Sequence, residues 1–326
     1  MAVAGVDRSM QSLLGLDPST YEPHALHADD RAYPETNCYA DILIELLHGR
    51  GDEPLAVLGR SVRTDFEGDQ WTFFKPDPHD LEALFGLDIH EMQPYRSLAD
   101  QIAEQIAAGR TLIVELDSWY LPDTHATAYR REHVKSSAVM EAIDRDAKRL
   151  HYFHNQSLYA LEGEDYDGAL RAWVQPNDNH LPPFTELVRF DAGERLRGDE
   201  LRDAARRLFA AHVHRRPATN PFTRFAAALD DDLPRLLEQS HGDYHAYAFA
   251  TVRMAGSGFA LCASHVDWLF GAGAARAVEA LDGIVGGSKA LSFKLARRKA
   301  FDPQPLVAQL GESWDDAMDA IVSLAA

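Results

Sequence analysis

The chain has 326 residues, 46% of them hydrophobic and 10% aromatic, which is enough apolar material to bury a core and excludes general disorder. Its 51 Asp and Glu against 32 Lys and Arg leave a formal charge of −19. A nucleic acid or an anionic membrane surface is therefore excluded as a partner unless basic residues are strongly segregated onto one face.

At ~150 residues per domain, the length suggests about two domains. Cys38 and Cys262 are the two cysteines, and they form no disulfide framework. The N-terminus lacks the charged and apolar pattern of a signal peptide. No apolar run approaches the ~20 residues that span a bilayer. A reduced, cytoplasmic protein with no membrane contact is the expectation.

In chain order, residues 1–35 read as an irregular leader rich in Asp, Pro and His. Thr36-Asn37-Cys38 then opens a helix carried by Ile42, Leu43, Leu46 and Leu47 and stopped by Gly49 and Gly51. Thr36 or Asn37 is the expected N-cap. Residues 55–61 and 70–74 read as strand and loop pieces. Asp80–Leu84 is a short helix, and Leu98–Ala108 a longer one closed by Gly109. Strands follow at Thr111–Leu116, Val134–Ile143 and Leu150–Phe153, the last two joined by the polar turn 144–148.

Three prolines and two asparagines in VQPNDNHLPPF mark 174–193 as a linker. Beyond it the pattern is helical over Asp199–His214, Pro221–Glu238, Gly273–Val285, Ser288–Arg298 and Pro303–Leu324. Tyr244–Trp268 fits either strand or helix, and Gly286-Gly287 reads as a helix break. The organisation predicted is an α+β domain over 1–175 and a mainly helical domain over 176–326.

Cys38 is the residue with the clearest chemical possibility. In the first turn of a helix, outward-pointing N–H groups and the positive end of the dipole favour an anion such as a thiolate. The same N–H groups can hold an oxyanion. A nucleophile needs a base, and the base needs an orienter. His133 at a strand start is the candidate base; His154 or Asn155, at the end of the next strand, is the candidate orienter. The bland reading is a small buried cysteine and a structural histidine.

Asp117, at the end of a strand and next to WYLPDT, either holds a substrate group or supports His133, or it caps local backbone. Trp119, Tyr120 and Tyr129 either line a substrate pocket or pack the loop. There is no HExxH or CxxC. On a strand His151 and His154 point to opposite sides, so no metal site is expected. Arg202, Arg206 and Arg207 fall on one helical face. That face is either a dock for an acidic protein or a solvated surface with internal Asp–Arg pairs. Cys262, in FALCAS, reads as buried and inert.

The stretches TNCYADILIELLHGRG, VELDSWYLPDTHATAYRREHVKSS, LHYFHNQSLYALEGEDY and HAYAFATVRMAGSGF resemble the domain of unknown function family 1839. The likeness runs over nearly the whole chain from about residue 30. The motif around Asp117–Tyr120 and His133 also resembles the papain-like N-terminal domain of the butirosin-pathway acyltransferases. Those enzymes move an aminoacyl group from a carrier-protein thioester to an amine. The larger family is often encoded beside synthetase-like ligases that load carrier proteins.

The resemblance implies a papain-like, cysteine-hydrolase-type first domain with Cys38 as nucleophile and His133 as base. It implies an acyl or aminoacyl carrier protein as partner, with a ligase as a further one. No intrinsic cofactor is implied; the phosphopantetheine belongs to the carrier. The activity implied is acyl transfer. A thioesterase or amidohydrolase, or a non-catalytic binding protein for the loaded carrier, are the alternatives. Two features depart from the papain pattern. The 21 residues from His133 to His154 exceed the usual spacing, and the glutamine usual before the cysteine is missing; either Asn37 is the substitute amide or the first N–H groups of the helix serve alone.

Overall fold

The computed structural model describes residues 10–172 and 181–325. Its contacts cluster into two compact units that interleave along the chain. The first holds the chain through Ala25, then Cys38–Glu53 and Leu81–Arg195; the second holds Leu26–Asn37, Pro54–Asp80 and everything from Leu196 on. Sequence patterning placed one boundary near 175. The nearest contact boundary falls between Arg195 and Leu196.

The elements of the first unit are β1 (Gln11–Ser12), α1 (Cys38–Gly49), α2 (Pro78–Phe85, opening just before Leu81), β2 (Asp88–Met92), α3 (Leu98–Ala107), β3 (Thr111–Asp117), β4 (Lys135–Asp144), β5 (Arg149–His154), β6 (Ser157–Glu162), α4 (Gly163–Ala169) and β7 (Thr185–Arg189). The strands form one antiparallel sheet in the order β2-β7-β3-β4-β5-β6, with β1 paired to β4 beside it.

β7 corrects the expected linker. Residues 173–180 of that segment lie outside the described residues, but 185–189 are a strand between β2 and β3. Its partners lie some 70 to 100 positions earlier (Thr111↔Val188 and Asp88↔Arg189). The local proline cluster therefore outweighed a pairing that no short window can reveal.

Alternation divides the sheet's two faces. Leu112, Val114 and Leu116 of β3, Ala138 and Met140 of β4 and Tyr152 of β5 form one core with Leu98, Ile102 and Ile106 of α3 and Tyr166 and Ala169 of α4. The intervening residues face the other way. Among them Ser137 meets Cys38 of α1, and Phe153 approaches Gly49 of α1. α1 is buried on nearly every side, from Tyr39 to Leu47, and the carboxylates of Asp41 and Glu45 are buried with its apolar residues. It is closed by Gly51, two residues past its end, which has a φ of +70° and whose N–H donates to His48 O at 2.8 Å.

The leader is irregular but anchored. The β4 bulge brings the fully buried Glu141 into position. Its Oε1 accepts from Ser12 Oγ at 2.6 Å, Leu14 N at 3.0 Å and Gly15 N at 3.1 Å.

The second unit is helical: α5 (Gly198–Val213), α6 (Pro221–Glu238), α7 (His241–Ala248), a π turn (Phe249–Arg253), α8 (Met254–Phe270), α9 (Ala275–Ala296) and α10 (Gln304–Ala325). Tyr244–Trp268 is thus helical, and the 55–61 and 70–74 pieces are not strands. The first is 3-10 turn (Pro54–Val57, Gly59–Arg63), and the second contributes only the Phe66↔Trp71 bridge. Gly286-Gly287 does not break α9. A Cβ on Gly283 would fall 2.9 Å from Ser313 Oγ, and one on Gly287 2.5 Å from Leu310 Cδ2. These glycines, one helical turn apart, let α10 lie close against α9.

Trp71 is the centre of this unit's aromatic core. Its ring lies 4.7 Å from that of Phe222, 5.7 Å from Phe66, 5.8 Å from Phe225 and 6.0 Å from Phe259. No described helix is long and apolar enough to cross a membrane.

His265 of α8 is fully buried beside Phe209. Its Nδ1 lies 2.7 Å from Leu55 O, a contact that needs Nδ1 to carry a proton, while Nε2 is buried without a partner. Burial pushes this imidazole down from 6.5 to about 4, helped by His212 and opposed by the Leu55 carbonyl and Asp80. The folded state therefore resists a proton that the unfolded state accepts. The stabilisation is complete above about pH 6.5 and is lost as pH falls toward 4, amounting to about 3 kcal/mol. Urea unfolding at pH 7.5 and 4.5 should show a smaller pH dependence for His265→Leu than for the parent. Equal dependence would refute the assignment.

Candidate functional site

Cys38 is the first residue of α1 and is partly exposed. Its Sγ lies 3.8 Å from Ser137 Oγ. A serine thus faces the thiol, and no hydrogen bond joins Cys38 to His133. Glu115 pairs directly with Ser137 across the β3–β4 ladder and Asp117 with Lys135, so all four side chains share the Cys38 face of the sheet. Lys135 Nζ donates to Glu115 Oε1 at 2.6 Å.

His133 continues this row, two residues before the start of β4. Its Nδ1 lies 2.7 Å from Asp117 Oδ2, and its ring stacks on Trp119 at 4.6 Å with an interplanar angle of 6°. Asp117 Oδ1 accepts the backbone N–H of Trp119 at 3.0 Å. Asp117 is thus the orienter of His133. From Ser137 to Lys135 is two residues of strand, about 7 Å, and His133 lies two residues further. The thiol and the His133–Asp117 pair occupy one face without touching.

His154 is not part of that row. Ala138 is its partner across the ladder, which places it on the opposite, α3 face. There Nε2 lies 2.6 Å from Ser136 Oγ and Nδ1 2.5 Å from Asp123 Oδ2. Tyr152 OH donates to the other Asp123 oxygen at 2.5 Å. His154 and Asp123 are buried, whereas Ser136 is partly exposed. Asn155 occupies the two-residue turn between β5 and β6 with φ +46°. Its role is turn geometry. Neither His154 nor Asn155 orients His133.

Asn37 belongs to the second unit, where its side-chain amide donates to Phe74 O at 3.0 Å. Tyr120 and Tyr129 are directed to α4. The Tyr120 ring occupies the space a Cβ on Gly168 would need, and Tyr129 OH donates to Asp165 at 2.9 Å. Of the three aromatics, only Trp119 contacts the candidate base.

The expected arginine face is largely engaged. Arg202 donates to Trp268 O and Arg206 to Leu269 O, each at 3.0 Å. They satisfy carbonyls at the C-terminus of α8, where cations are favoured. Arg207 is exposed. Cys262 is fully buried in α8, and burial pushes its thiol up to about 12. Among the described residues, no group of three or more His, Cys, Asp or Glu is placed to hold a metal ion.

Sequence reading missed Ser136, Ser137, Asp123 and the Lys135–Glu115 pair. Strand alternation through the quoted EHVKSS motif would have placed Ser136 and Ser137 on opposite faces.

A search of curated proteins finds no match. Two family models together span most of the chain: the DUF1839 N-terminal domain matches residues 22–190 and the DUF1839 C-terminal domain residues 198–323. The chain belongs to the DUF1839 family.

Proposed function

We propose that the chain is a papain-like acyltransferase that moves an aminoacyl group from a carrier-protein thioester to an amine through Cys38. The observation that carries this reading is a thiol at a helix N-terminus sharing one sheet face with an oriented histidine–carboxylate pair. Cys38 sulfur attacks the thioester carbonyl and its proton passes to His133, whose Nε2 is the nitrogen left open by Asp117. The tetrahedral oxyanion is held by the first N–H groups of α1. Collapse expels the phosphopantetheine thiol, which takes the proton. The acceptor amine then attacks acyl-Cys38, gives a proton to His133, and the Cys38 thiolate leaves. With water as acceptor the same steps make a thioesterase. His133 lies before the start of β4, exposed, so the loop carrying it has to swing toward Cys38 when substrate binds.

A second reading rests on the Ser136–His154–Asp123 relay, whose two hydrogen bonds match the order of a serine–histidine–aspartate triad. In it, Ser136 would carry the acyl group.

Intact-mass spectrometry after mixing with an aminoacylated carrier protein separates these. An adduct that disappears in Cys38→Ala supports the first reading; one that persists there but disappears in Ser136→Ala replaces it with the second. No adduct on the parent chain, with the carrier still bound, would leave a binding protein. In the first case His133→Ala should slow adduct formation by about 10²–10⁴-fold.

A further inference from the structure

The second unit contains a cavity of about 300 Å³ unrelated to the residues above. Arg60 and Arg63 reach it from the Gly59–Arg63 turn, and Arg215 and Arg216 from the chain just after α5; Thr72, Phe73 and the acids Asp65 and Glu67 complete the wall. Four guanidiniums in one cavity are unexpected in a chain of −19.

The balance of partners is uneven. Arg60 pairs with Asp77 at 3.1 Å. Asp65 is occupied by Arg224. Arg216 donates to Val213 O at 3.0 Å. The guanidiniums of Arg63 and Arg215 form no ion pair or hydrogen bond among the described residues. Burial, together with the like charges of Arg60 and Arg215, holds the Arg63 guanidinium below its ordinary range, although Asp77 and Asp80 offset part of this. The positive potential is thus only partly compensated from within the protein, and a recessed site concentrates it. Guanidinium forks match phosphate oxygens two at a time. Phe73, 47% exposed at the same wall, offers an apolar surface to whatever carries the phosphate.

We propose that this cavity binds the phosphate group of a small molecule, held by Arg63 and Arg215 with Arg60 and Arg216 alongside. The volume suits a small phosphate monoester. This site is independent of the acyl-transfer reading and is tested without any turnover.

Titration calorimetry on the full chain should use inorganic phosphate and phenyl phosphate, with potassium chloride matched for ionic strength. Saturable one-to-one binding of at least one phosphate species, absent with chloride, is expected. Arg63→Gln and Arg215→Gln should each weaken it about tenfold or more. Neither variant should melt below the parent without ligand, because each removes like-charge repulsion. Arg215 is exposed, so its variant remains informative if Arg63→Gln folds poorly. Tighter binding of phenyl phosphate identifies an ester; equal binding identifies the free ion. No saturable binding of either, or unchanged affinity in both variants, overturns the proposal.

Discussion

A His154→Leu variant is expected to lose about 3–5 kcal/mol of stability in urea unfolding. The substitution leaves the Asp123 carboxylate buried with Tyr152 OH as its remaining side-chain partner, and removing one partner of a buried carboxylate costs that much. Asp123 and Thr124 close the segment that starts at Ser118, in which Thr124 Oγ1 donates to Leu121 O at 2.9 Å. Freeing Asp123 should loosen this segment and with it the Trp119 stack on His133. The Asp123→Leu/His154→Leu double variant should cost less than the two single changes added, because the stranded charge is gone. A single-variant cost below about 1 kcal/mol would mean the relay carries little of the local stability. A relay that only supports the loop leaves Ser136→Ala able to form the acyl adduct.

Trp71→Ala is expected to be as damaging, at about 3–5 kcal/mol. The indole is 1% exposed and touches four phenylalanine rings drawn from the 66–71 turn, α6 and α8. No neighbour can fill a hole of that size without moving a ring. Trp71→Phe should recover part of the loss, since it keeps an edge-on aromatic contact while leaving a smaller void. Equal costs for the two variants would mean that volume and ring contact at this position carry little of the unit's stability.

Several elements were legible because their signals are local. α6 runs from Pro221 to Glu238, as patterned, because Asn220 accepts the N–H of Phe222 at 3.0 Å and proline occupies the first helical position. β3, β4 and β5 appear within two residues of their expected limits, since buried apolar runs ending in turns are short-range features. β7 was hidden because its partners are distant. The continuity of α9 was hidden because Gly283 and Gly287 are set by α10, not by their own helix. At the site, Cys38 and His133 were named from motif likeness and helix position. Their neighbours were misassigned because pairing order alone does not say which sheet face a side chain occupies. His154 was the cost: one residue of register decides between the thiol's face and the opposite one.

The interleaving of the two units has a consequence for synthesis on the ribosome. The chain passes between them at residues 25/26, 37/38, 53/54, 80/81 and 195/196. A fragment starting at residue 198 would lack Leu55, Phe66, Trp71 and Asp80, which supply the carbonyl for His265, two members of the aromatic core and the carboxylate of His212. Trp71 emerges early, but Phe222, Phe225 and Phe259 follow only after the whole first unit has been made. The nascent chain must therefore hold an unfinished aromatic surface through most of translation. The helical unit closes last, around residues delivered first.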